Sequence, residues 1–271
     1  MSVKKMSILS ANNADPYDLY RKSVQDVEAE IDFVAAEYQR LNDRPAYSLR
    51  EDFCGTASTA AEWVRRGEQH YAWALDCDPA PLEWGRRRHQ KELPKKAQAR
   101  LQLLQEDVLK TTLPPVDIIL AMNFSYWLFQ ERLQMLAYFQ RVRRGLRDKG
   151  VFFLDCYGGY DAPREILEER ECDGFTYEWE QAEFNPITSL MQCYIHFSFE
   201  DGSRLDRAFD YRWRLWTLPE IRELLLEAGF AKVTVYWQGW DEDGEADGDF
   251  QPKETADADA GWICYLAAQV P

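Results

Sequence analysis

The residues best suited to chemistry follow a short apolar stretch early in the chain. The stretch leads to Glu51, the small residues of segment 54–57 come next, and a helical pattern begins at Ser58. A strand that ends in small residues and turns directly into a helix leaves a notch, which backbone N–H groups and the positive end of the helix dipole face. The segment predicts either a plain strand–turn–helix connection or a site where a cofactor approaches the backbone.

Acidic residues follow the next two apolar stretches. The stretch 71–75 ends at Asp76, and the stretch 100–104 is followed by Asp107. An acid that ends the second strand, about 20 residues after a glycine turn, binds ribose hydroxyls in dinucleotide sites. The plainer interpretations are a helix cap at Asp76 or Asp78 and a solvated turn at Asp107. We assign Asp78 as the cap and Asp76 as a ribose ligand, whereas Asp107 stays open between an acceptor for a purine amine and a solvated turn acid.

The elements that must position these acids alternate along the chain. Apolar strand patterns cover 47–52, 71–75, 100–104, 116–121 and 150–155, with helical patterns between them. This alternation predicts an α/β fold with a parallel sheet and helices on both faces. Because ligands of such sheets bind at the carboxyl ends of the strands, we expect five strand-end residues to meet in one crevice: Gly55, Asp76, Asp107, Asn123 and Asp155.

The second half of the chain has a different pattern. Aromatic and polar residues alternate in segment 174–216, which predicts an antiparallel insertion of three strands. A helix over 218–229 and strands over 232–236 and 262–268 are expected to return to the core. The acidic segment 239–261 predicts a solvated loop, and a calcium-binding loop is the alternative, although the ligand motif is missing.

Helical spacing also precedes the first strand. Asp15 and Pro16 are typical of a helix start, and apolar residues recur at helical spacing to about residue 41. The pattern predicts one long or two short helices. They serve either for packing or as a lid, with Tyr17 or Tyr20 over the cofactor and Arg21 on a carboxylate.

Composition narrows the class of protein. The 271 residues carry a net charge of −15, which disfavours binding to nucleic acid or to an anionic membrane. Six scattered Cys without a C-x-x-C pair and three His predict neither a metal site nor a disulfide framework. We therefore expect a cytoplasmic protein with reduced thiols and no membrane span.

The order of these parts resembles class I S-adenosylmethionine-dependent methyltransferases over roughly residues 45–268. Segment 51–57 is similar to the first motif of that family, with Phe53 at the first glycine position and Ala57 at the last. The resemblance implies a Rossmann-like seven-stranded sheet with an antiparallel last strand, and S-adenosylmethionine as cofactor. The cofactor-binding residues that we expect are Tyr20, Arg21, Glu51, Cys54, Gly55, Thr56, Asp76, Cys77, Asp107, Val108, Asn123 and Phe124.

The insertion resembles the glycine and sarcosine N-methyltransferase branch, in which such strands roof the substrate pocket. This implies a small-molecule substrate and an inserted subdomain over 174–216 in a core of 45–173 and 217–271, preceded by the helical segment 1–44, which we expect to form a lid. Methyl transfer to a small acceptor requires mainly alignment, with a base for some acceptors. The residues expected to contact substrate are Asn123, Trp127, Tyr157, Arg212 and Arg214. The base candidates are His196, Tyr157, Tyr211 and Asp155, although His196 also suits a hydrogen-bonded structural role.

Three alternatives remain open at this point. A nicotinamide-dependent oxidoreductase shares the ribose acid but has an intact G-x-G-x-x-G, which segment 51–57 lacks. A non-catalytic S-adenosylmethionine-binding protein retains the whole fold. Segment 123–126 is partly similar to a motif of nucleic-acid amino-methyltransferases, but both prolines are absent and the protein is acidic.

Overall fold

The alternating strands and helices form one sheet in a computed structural model, which describes residues 9–240 and 246–271. The parallel strands are β1 (Ser48–Asp52), β2 (Tyr71–Asp76), β3 (Leu101–Gln105), β4 (Val116–Ala121) and β5 (Leu146–Gly158). The order β3-β2-β1-β4-β5 places the first strand in the middle of this set. The predicted α/β, Rossmann-like fold is therefore confirmed.

Three further strands extend the sheet beyond β5. They are β10 (Lys232–Trp240), β11 (Ala246–Pro252) and β12 (Trp262–Gln269). Strand β12 lies between β5 and β10 and is antiparallel to both. The predicted antiparallel last strand is confirmed, but the sheet has eight strands rather than seven.

The additional strand corrects the prediction of a loop over 239–261. Strand β11 pairs antiparallel with β10 at the edge of the sheet, and residues 241–245 of the predicted loop lie outside the described residues. Its Phe250 ring stacks on Tyr265 with centroids 4.2 Å apart. Phe250 is a single aromatic residue in an acidic segment, so the sequence lacks the alternating apolar pattern that predicts a strand.

Helices cover the sheet and contribute to its core. They are α2 (Val27–Asn42), α3 (Ser58–Arg65), α4 (Pro79–Gly85), α5 (Lys95–Gln98), α6 (Arg132–Arg144) and α7 (Leu218–Glu227). Every residue of β1 and β4 is buried, as expected for central parallel strands. Trp63 of α3 and Tyr38 of α2 belong to the same buried cluster.

The chain divides into two units, and the smaller one contains a second sheet. The larger unit comprises Val27–Ala162 and Trp216–Pro271, and the described part of the smaller unit comprises residues 9–26 and Pro163–Leu215. The second sheet is antiparallel, in the order β6 (Ile166–Cys172), β7 (Phe175–Asn185), β8 (Leu190–Ser198) and β9 (Arg204–Arg214).

Helix α1 (Pro16–Val24) belongs to the smaller unit with this sheet. Leu19 of α1 packs in a cluster with Phe175, Ile195 and Phe197. The three strands predicted over 174–216 are β7, β8 and β9, and the sheet has a fourth strand, β6, from residues before that range. The additional strand β6 has exposed charged residues along most of its length and therefore lacks the apolar alternation that marked the others.

The N-terminal helical segment is two helices that separate at an extended residue, Gln25. The first belongs to the smaller unit and the second to the larger, so the predicted division at residue 44 differs from the division at Asp26. Residues 1–8 of the predicted lid lie outside the described residues. In the described part of the chain, no helix has the length and apolar character needed to cross a membrane.

Candidate active site

The turn after β1 has an unusual backbone. Phe53, Gly55 and Ala57 have φ values of +57°, +52° and +59°, all in the left-handed region. That region costs non-glycine residues about 1–2 kcal/mol each. A side chain placed on Gly55 would meet no atom within 4 Å, so the glycine faces open space. The turn thus provides the bare backbone surface that the sequence predicted between β1 and α3.

Helix α4 packs directly against this turn. A Cβ atom at Gly85 would lie 2.1 Å from the carbonyl oxygen of Thr56, a distance that no side chain can occupy. Gly85 therefore allows α4 to approach the turn closely. Gly85 is not among the predicted site residues, although a glycine inside a helical pattern often marks a close backbone contact.

Asp76 connects the end of β2 to the turn. Its Oδ2 accepts the N–H of Gly55 at 2.8 Å, and its Oδ1 accepts the N–H of Asp78 at 2.9 Å. Burial raises the pKa of Asp76 above its usual value, and these backbone donors partly offset the effect. The carboxylate has about four acceptor positions, so it retains capacity for ligand hydroxyls. The predicted cap is confirmed, because Asp78 accepts the N–H of Ala80 at the start of α4.

Asp107 lies beyond the end of the neighbouring strand β3. Its Oδ1 accepts the N–H of Leu109 at 2.9 Å, and Lys110 Nζ lies 3.1 Å from its Oδ2. Partial burial raises the pKa of Asp107, but these two contacts outweigh it and leave the pKa lowered. The N–H of Glu106 donates to the carbonyl of Asp76 at 3.1 Å and links the two strand ends.

Two other predicted cofactor residues accompany these acids. Cys77 is exposed, and the negative charges of Asp107 and Asp76 add to burial in raising its pKa. Val108 is buried immediately after Asp107. The larger unit therefore brings Gly55, Asp76, Cys77 and Asp107 together at the carboxyl ends of β1, β2 and β3.

The turn after β4 is held by a buried carboxylate. Asn123 and Phe124 both have left-handed φ values, and their N–H groups donate to the two oxygens of Asp155 at 2.6 and 2.9 Å. Burial raises the pKa of Asp155 to about 7. Both carboxylate oxygens orient backbone, so the contacts favour a positioning role for Asp155 over that of a base.

Aromatic rings surround this second turn. The ring of Tyr157 lies 4.8 Å from Phe124 and 4.8 Å from Trp127, measured between centroids. Trp127 is buried, while Phe124 and Tyr157 are partly exposed. Three predicted substrate or cofactor residues thus form one cluster, in which the partly exposed Phe124 and Tyr157 offer aromatic faces to an apolar or cationic ligand.

Glu51 lies behind the turn and is buried. Its Oε2 accepts the N–H of Ala60 in α3 at 2.9 Å. Burial, together with the charges of Glu30 and Asp76, raises the pKa of Glu51 to about 8. The buried Glu30, which lies 3.4 Å from the hydroxyl of Thr59, was missed because it occurs in an ordinary amphipathic helix.

The free energy of unfolding should decrease as the pH rises from about 5 to 8. In the folded protein Glu51 and Asp155 retain their protons to about pH 8 and 7, whereas in the unfolded chain they titrate near 4. Between these pH values the folded state binds more protons than the unfolded state. The contribution of these two carboxyls to the free energy of unfolding is therefore greatest below pH 4–5 and is lost as the pH rises. Each contributes a slope of up to about 1.4 kcal/mol per pH unit.

Glu51→Gln isolates one of these contributions. The amide oxygen can still accept the N–H of Ala60, so the variant should show a smaller slope in urea denaturation measured at several pH values. Glu68→Gln, at an exposed acid, is the matched control and should retain the parent slope. An unchanged slope in Glu51→Gln would show that this carboxyl is ionised in the folded protein.

The other predicted site residues lie in the smaller unit. His196 is buried, with Nε2 3.0 Å from Glu180 Oε2 and Nδ1 2.8 Å from Asp206 Oδ1. The N–H of Arg207 also donates to Nδ1 at 3.0 Å. Because both ring nitrogens have partners within the unit, these contacts favour the structural role for His196 over that of a base.

Tyr211 and Tyr20 belong to the apolar cluster of the smaller unit. Burial raises the pKa of Tyr211 well above its usual value, and Tyr20 adds to the effect, which disfavours Tyr211 as a base. Arg21 pairs with Asp18 at 3.1 Å. The predicted substrate residues Arg212 and Arg214 occur on β9, Arg212 exposed and Arg214 partly buried.

The sequence and the fold were compared with known proteins. Residues 52–154 match the family model described as a methyltransferase domain. Comparison with curated proteins finds no match. Among solved structures, a S-adenosylmethionine-dependent methyltransferase from Clostridium acetobutylicum is 18% identical, with a TM-score of 0.69 and coverage of 94% of this chain and 98% of that one.

Two other similar solved structures are those of CalS10 and KedS8. CalS10, an amino pentose methyltransferase from Micromonospora echinaspora in a S-adenosylmethionine-bound structure, is 14% identical, with a TM-score of 0.65 and coverage of 94% and 97% of the two chains. The sugar N-methyltransferase KedS8 from Streptoalloteichus sp is 17% identical, with a TM-score of 0.62 and coverage of 100% and 99%. At these identities the comparison establishes the fold.

The chain therefore has the fold of class I methyltransferases, and its residues 52–154 match a methyltransferase domain. The methyl donor of that class is S-adenosylmethionine. The larger unit fits this cofactor: the open face at Gly55 leaves room beside the backbone, and Asp76 retains acceptor positions for two ribose hydroxyls. Asp107 and Val108 follow the adjacent strand, where a purine would be bound.

Proposed function

We propose that the protein transfers the methyl group of S-adenosylmethionine to a nitrogen or oxygen atom of a small-molecule acceptor. The observation that carries the proposal is the link between Asp76 and the turn after β1. One carboxylate accepts the N–H of Gly55, so the ribose ligand and the bare backbone are fixed relative to each other. When bound, the cofactor would supply a methyl group on a sulfonium, so that the acceptor atom bonds the methyl carbon in line as the carbon–sulfur bond breaks and S-adenosylhomocysteine is the leaving group.

The residues of the chain serve mainly to bind and to orient. The turn at 54–57 is assigned to the methionine end of the cofactor, Asp76 to the ribose and Asp107 to the purine. The backbone of Asn123 and Phe124, fixed by Asp155, is assigned to the region nearest the reacting methyl group. Alignment of this kind accounts for most of the acceleration that methyl transfer requires.

The aromatic cluster of Phe124, Trp127 and Tyr157 favours an amine acceptor. Aromatic faces stabilise a cationic ammonium group and pack against apolar ring atoms. The names of CalS10 and KedS8, an amino pentose methyltransferase and a sugar N-methyltransferase, support the same acceptor class. An amino sugar is therefore our first choice of acceptor, and a small amino acid of the glycine or sarcosine type is the second. Tyr157 is the remaining candidate for a base.

Two measurements test the proposal in sequence. Calorimetric titration with S-adenosylhomocysteine should show saturable binding at one site, and failure to bind would contradict the cofactor assignment. Incubation of the enzyme with a metabolite extract and isotopically labelled S-adenosylmethionine should then yield a product with the mass gain of one labelled methyl group. Tight binding without any labelled product would favour a non-catalytic S-adenosylmethionine-binding protein.

A further inference from the structure

Positive charge is concentrated in one short segment of this acidic protein. Residues 86–100 contain seven Lys or Arg and one Glu, whereas the whole chain has a net charge of −15. The segment comprises a π-helical turn, Arg86–Gln90, the short helix α5 and the residues between them and β3. A local field of opposite sign to that of the whole protein favours small anions over long polyanions, because a small anion samples only its surroundings.

Part of this segment forms one wall of a cavity of about 620 Å³ in the larger unit. The opposite wall comes from the end of α3 and the residues that follow it. The charged side chains that line the cavity are Arg65, Glu68, Lys95, Lys96 and Arg100. Four cations and one carboxylate leave a positive surface, and the volume is within the usual range for small-molecule sites.

The cavity is separate from the candidate cofactor site. It lies at the amino ends of β2 and β3. Asp76 and Asp107 lie at the carboxyl ends, since Asp76 is the last residue of β2 and Asp107 follows β3. A strand of six residues, such as β2, is roughly 20 Å long. A ligand in the cavity would therefore not compete with the cofactor for the same residues.

The cations of the cavity differ in their contacts. The guanidinium of Arg100 donates to the carbonyls of Gly67 and His70, which fixes its position in the wall. Lys95 and Lys96 are exposed, and in the described part of the chain no carboxylate lies within 4.0 Å of either ammonium. These two side chains are therefore available to an incoming anion, while Arg100 maintains the shape of the wall.

Apolar surface accompanies the charges. Pro94 lines the same cavity and is exposed, while Val64 and Ala97 lie in the wall behind it and are buried. A site with lysine ammonium groups above apolar side chains suits an organic molecule that carries phosphate. We propose that this cavity, which we term the basic pocket, binds a phosphorylated small molecule of the nucleoside diphosphate type, with its phosphates on Lys95 and Lys96.

Calorimetric titration of the full-length protein tests the inference, with pyrophosphate and uridine diphosphate as probes. Saturating S-adenosylhomocysteine is present throughout, so that the candidate cofactor site is filled and its binding is verified separately. Both probes should bind, and uridine diphosphate should bind more tightly because its nucleoside can pack against the exposed Pro94. Raising NaCl from 50 to 300 mM should weaken both, as expected for charge-dependent binding.

Two double variants distinguish the basic pocket from the general positive surface. Lys95→Ala with Lys96→Ala should weaken both probes about tenfold or more, since two direct charge contacts are lost. Arg87→Ala with Lys91→Ala removes the same charge from the same segment but outside the cavity, and should change the affinity less than threefold. Thermal unfolding verifies that both variants are folded.

Three results would overturn the inference. The first is the absence of binding by either probe at 5 mM while S-adenosylhomocysteine still binds. The second is an equal loss of affinity in the two double variants, which would indicate attraction to the surface as a whole. The third is an affinity for single-stranded RNA that increases with length and exceeds that for uridine diphosphate, which would assign the segment to nucleic acid.

Discussion

Asp76→Asn should weaken the binding of S-adenosylhomocysteine about 100-fold. Two hydrogen bonds from ribose hydroxyls to a charged acceptor contribute about 1.5 kcal/mol each, and about 2.7 kcal/mol corresponds to a factor of 100. The amide also directs its NH2 group at the N–H of Gly55 or of Asp78, which both donate to the native carboxylate. The variant therefore loses acceptors for the ribose hydroxyls and also disturbs the turn after β1, which contains Gly55. Calorimetric titration measures the effect.

Asp78→Asn is the matched control for this experiment. It removes one negative charge two residues away, and Asn caps a helix about as well as Asp, so α4 should remain in place. The affinity of this variant for S-adenosylhomocysteine should stay within threefold of the parent value. If Asp76→Asn also stayed within threefold, Asp76 would not bind the ribose, and the cofactor would have to be held elsewhere.

The sequence predicted the parts of the fold in which hydrophobic burial determines the pattern. Central strands such as β1 and β4 are buried along their whole length, so their apolar character is continuous. Polar residues that follow these strands stand out against that background, and Asp76 and Asp107 were identified in this way. The strand–turn–helix connection at 54–57 followed from small residues between two periodic segments.

The edge strands β6 and β11 were not predicted, for a physical reason. An edge strand is paired on one side only, and its hydrogen bonds to the neighbouring strand require no apolar side chains. Strand β6 therefore has a mainly charged sequence, and β11 has a single aromatic anchor in Phe250. Backbone pairing of this kind leaves little signal in a single sequence.

Close contacts between residues that are distant in the chain could not be predicted from the sequence either. The approach of Gly85 to Thr56 and the contact of Asp155 with two backbone N–H groups depend on how the elements pack. The left-handed backbone at Phe53 and Ala57 is a similar case. The first motif of the resembled family has glycines at these two positions. Phe53 and Ala57 nevertheless adopt the left-handed conformation that favours glycine.

A charged pair inside the core leads to the second large prediction. Arg50 donates through Nε and Nη2 to the two oxygens of Asp52, both at 2.7 Å, and the hydroxyl of Tyr138 donates to Asp52 Oδ2 at 3.0 Å. Both charged side chains are almost fully buried, with 4% and 0% of their surface exposed. They point the same way because they are two residues apart in β1, immediately before the turn of the candidate site.

Asp52→Asn should lower the free energy of unfolding by about 3–5 kcal/mol, because it leaves the guanidinium of Arg50 buried without a counter-charge. Burial lowers the pKa of Arg50, and the charge of Asp52 more than offsets this, so the arginine is held charged by its partner. Tyr138→Phe removes one hydrogen bond and leaves the ion pair, so its cost should be only about 1–2 kcal/mol. Urea denaturation at fixed pH measures both.

The double variant Arg50→Met, Asp52→Leu separates the unpaired charge from simple loss of packing. Apolar residues of similar volume leave no charge to be solvated, so this variant should be more stable than Asp52→Asn, although it lacks the whole ion pair. If instead the double variant were the less stable of the two, the pair would contribute through its own attraction. A cost below 1 kcal/mol for Asp52→Asn would mean that water reaches Arg50, and that the base of the turn is open to solvent.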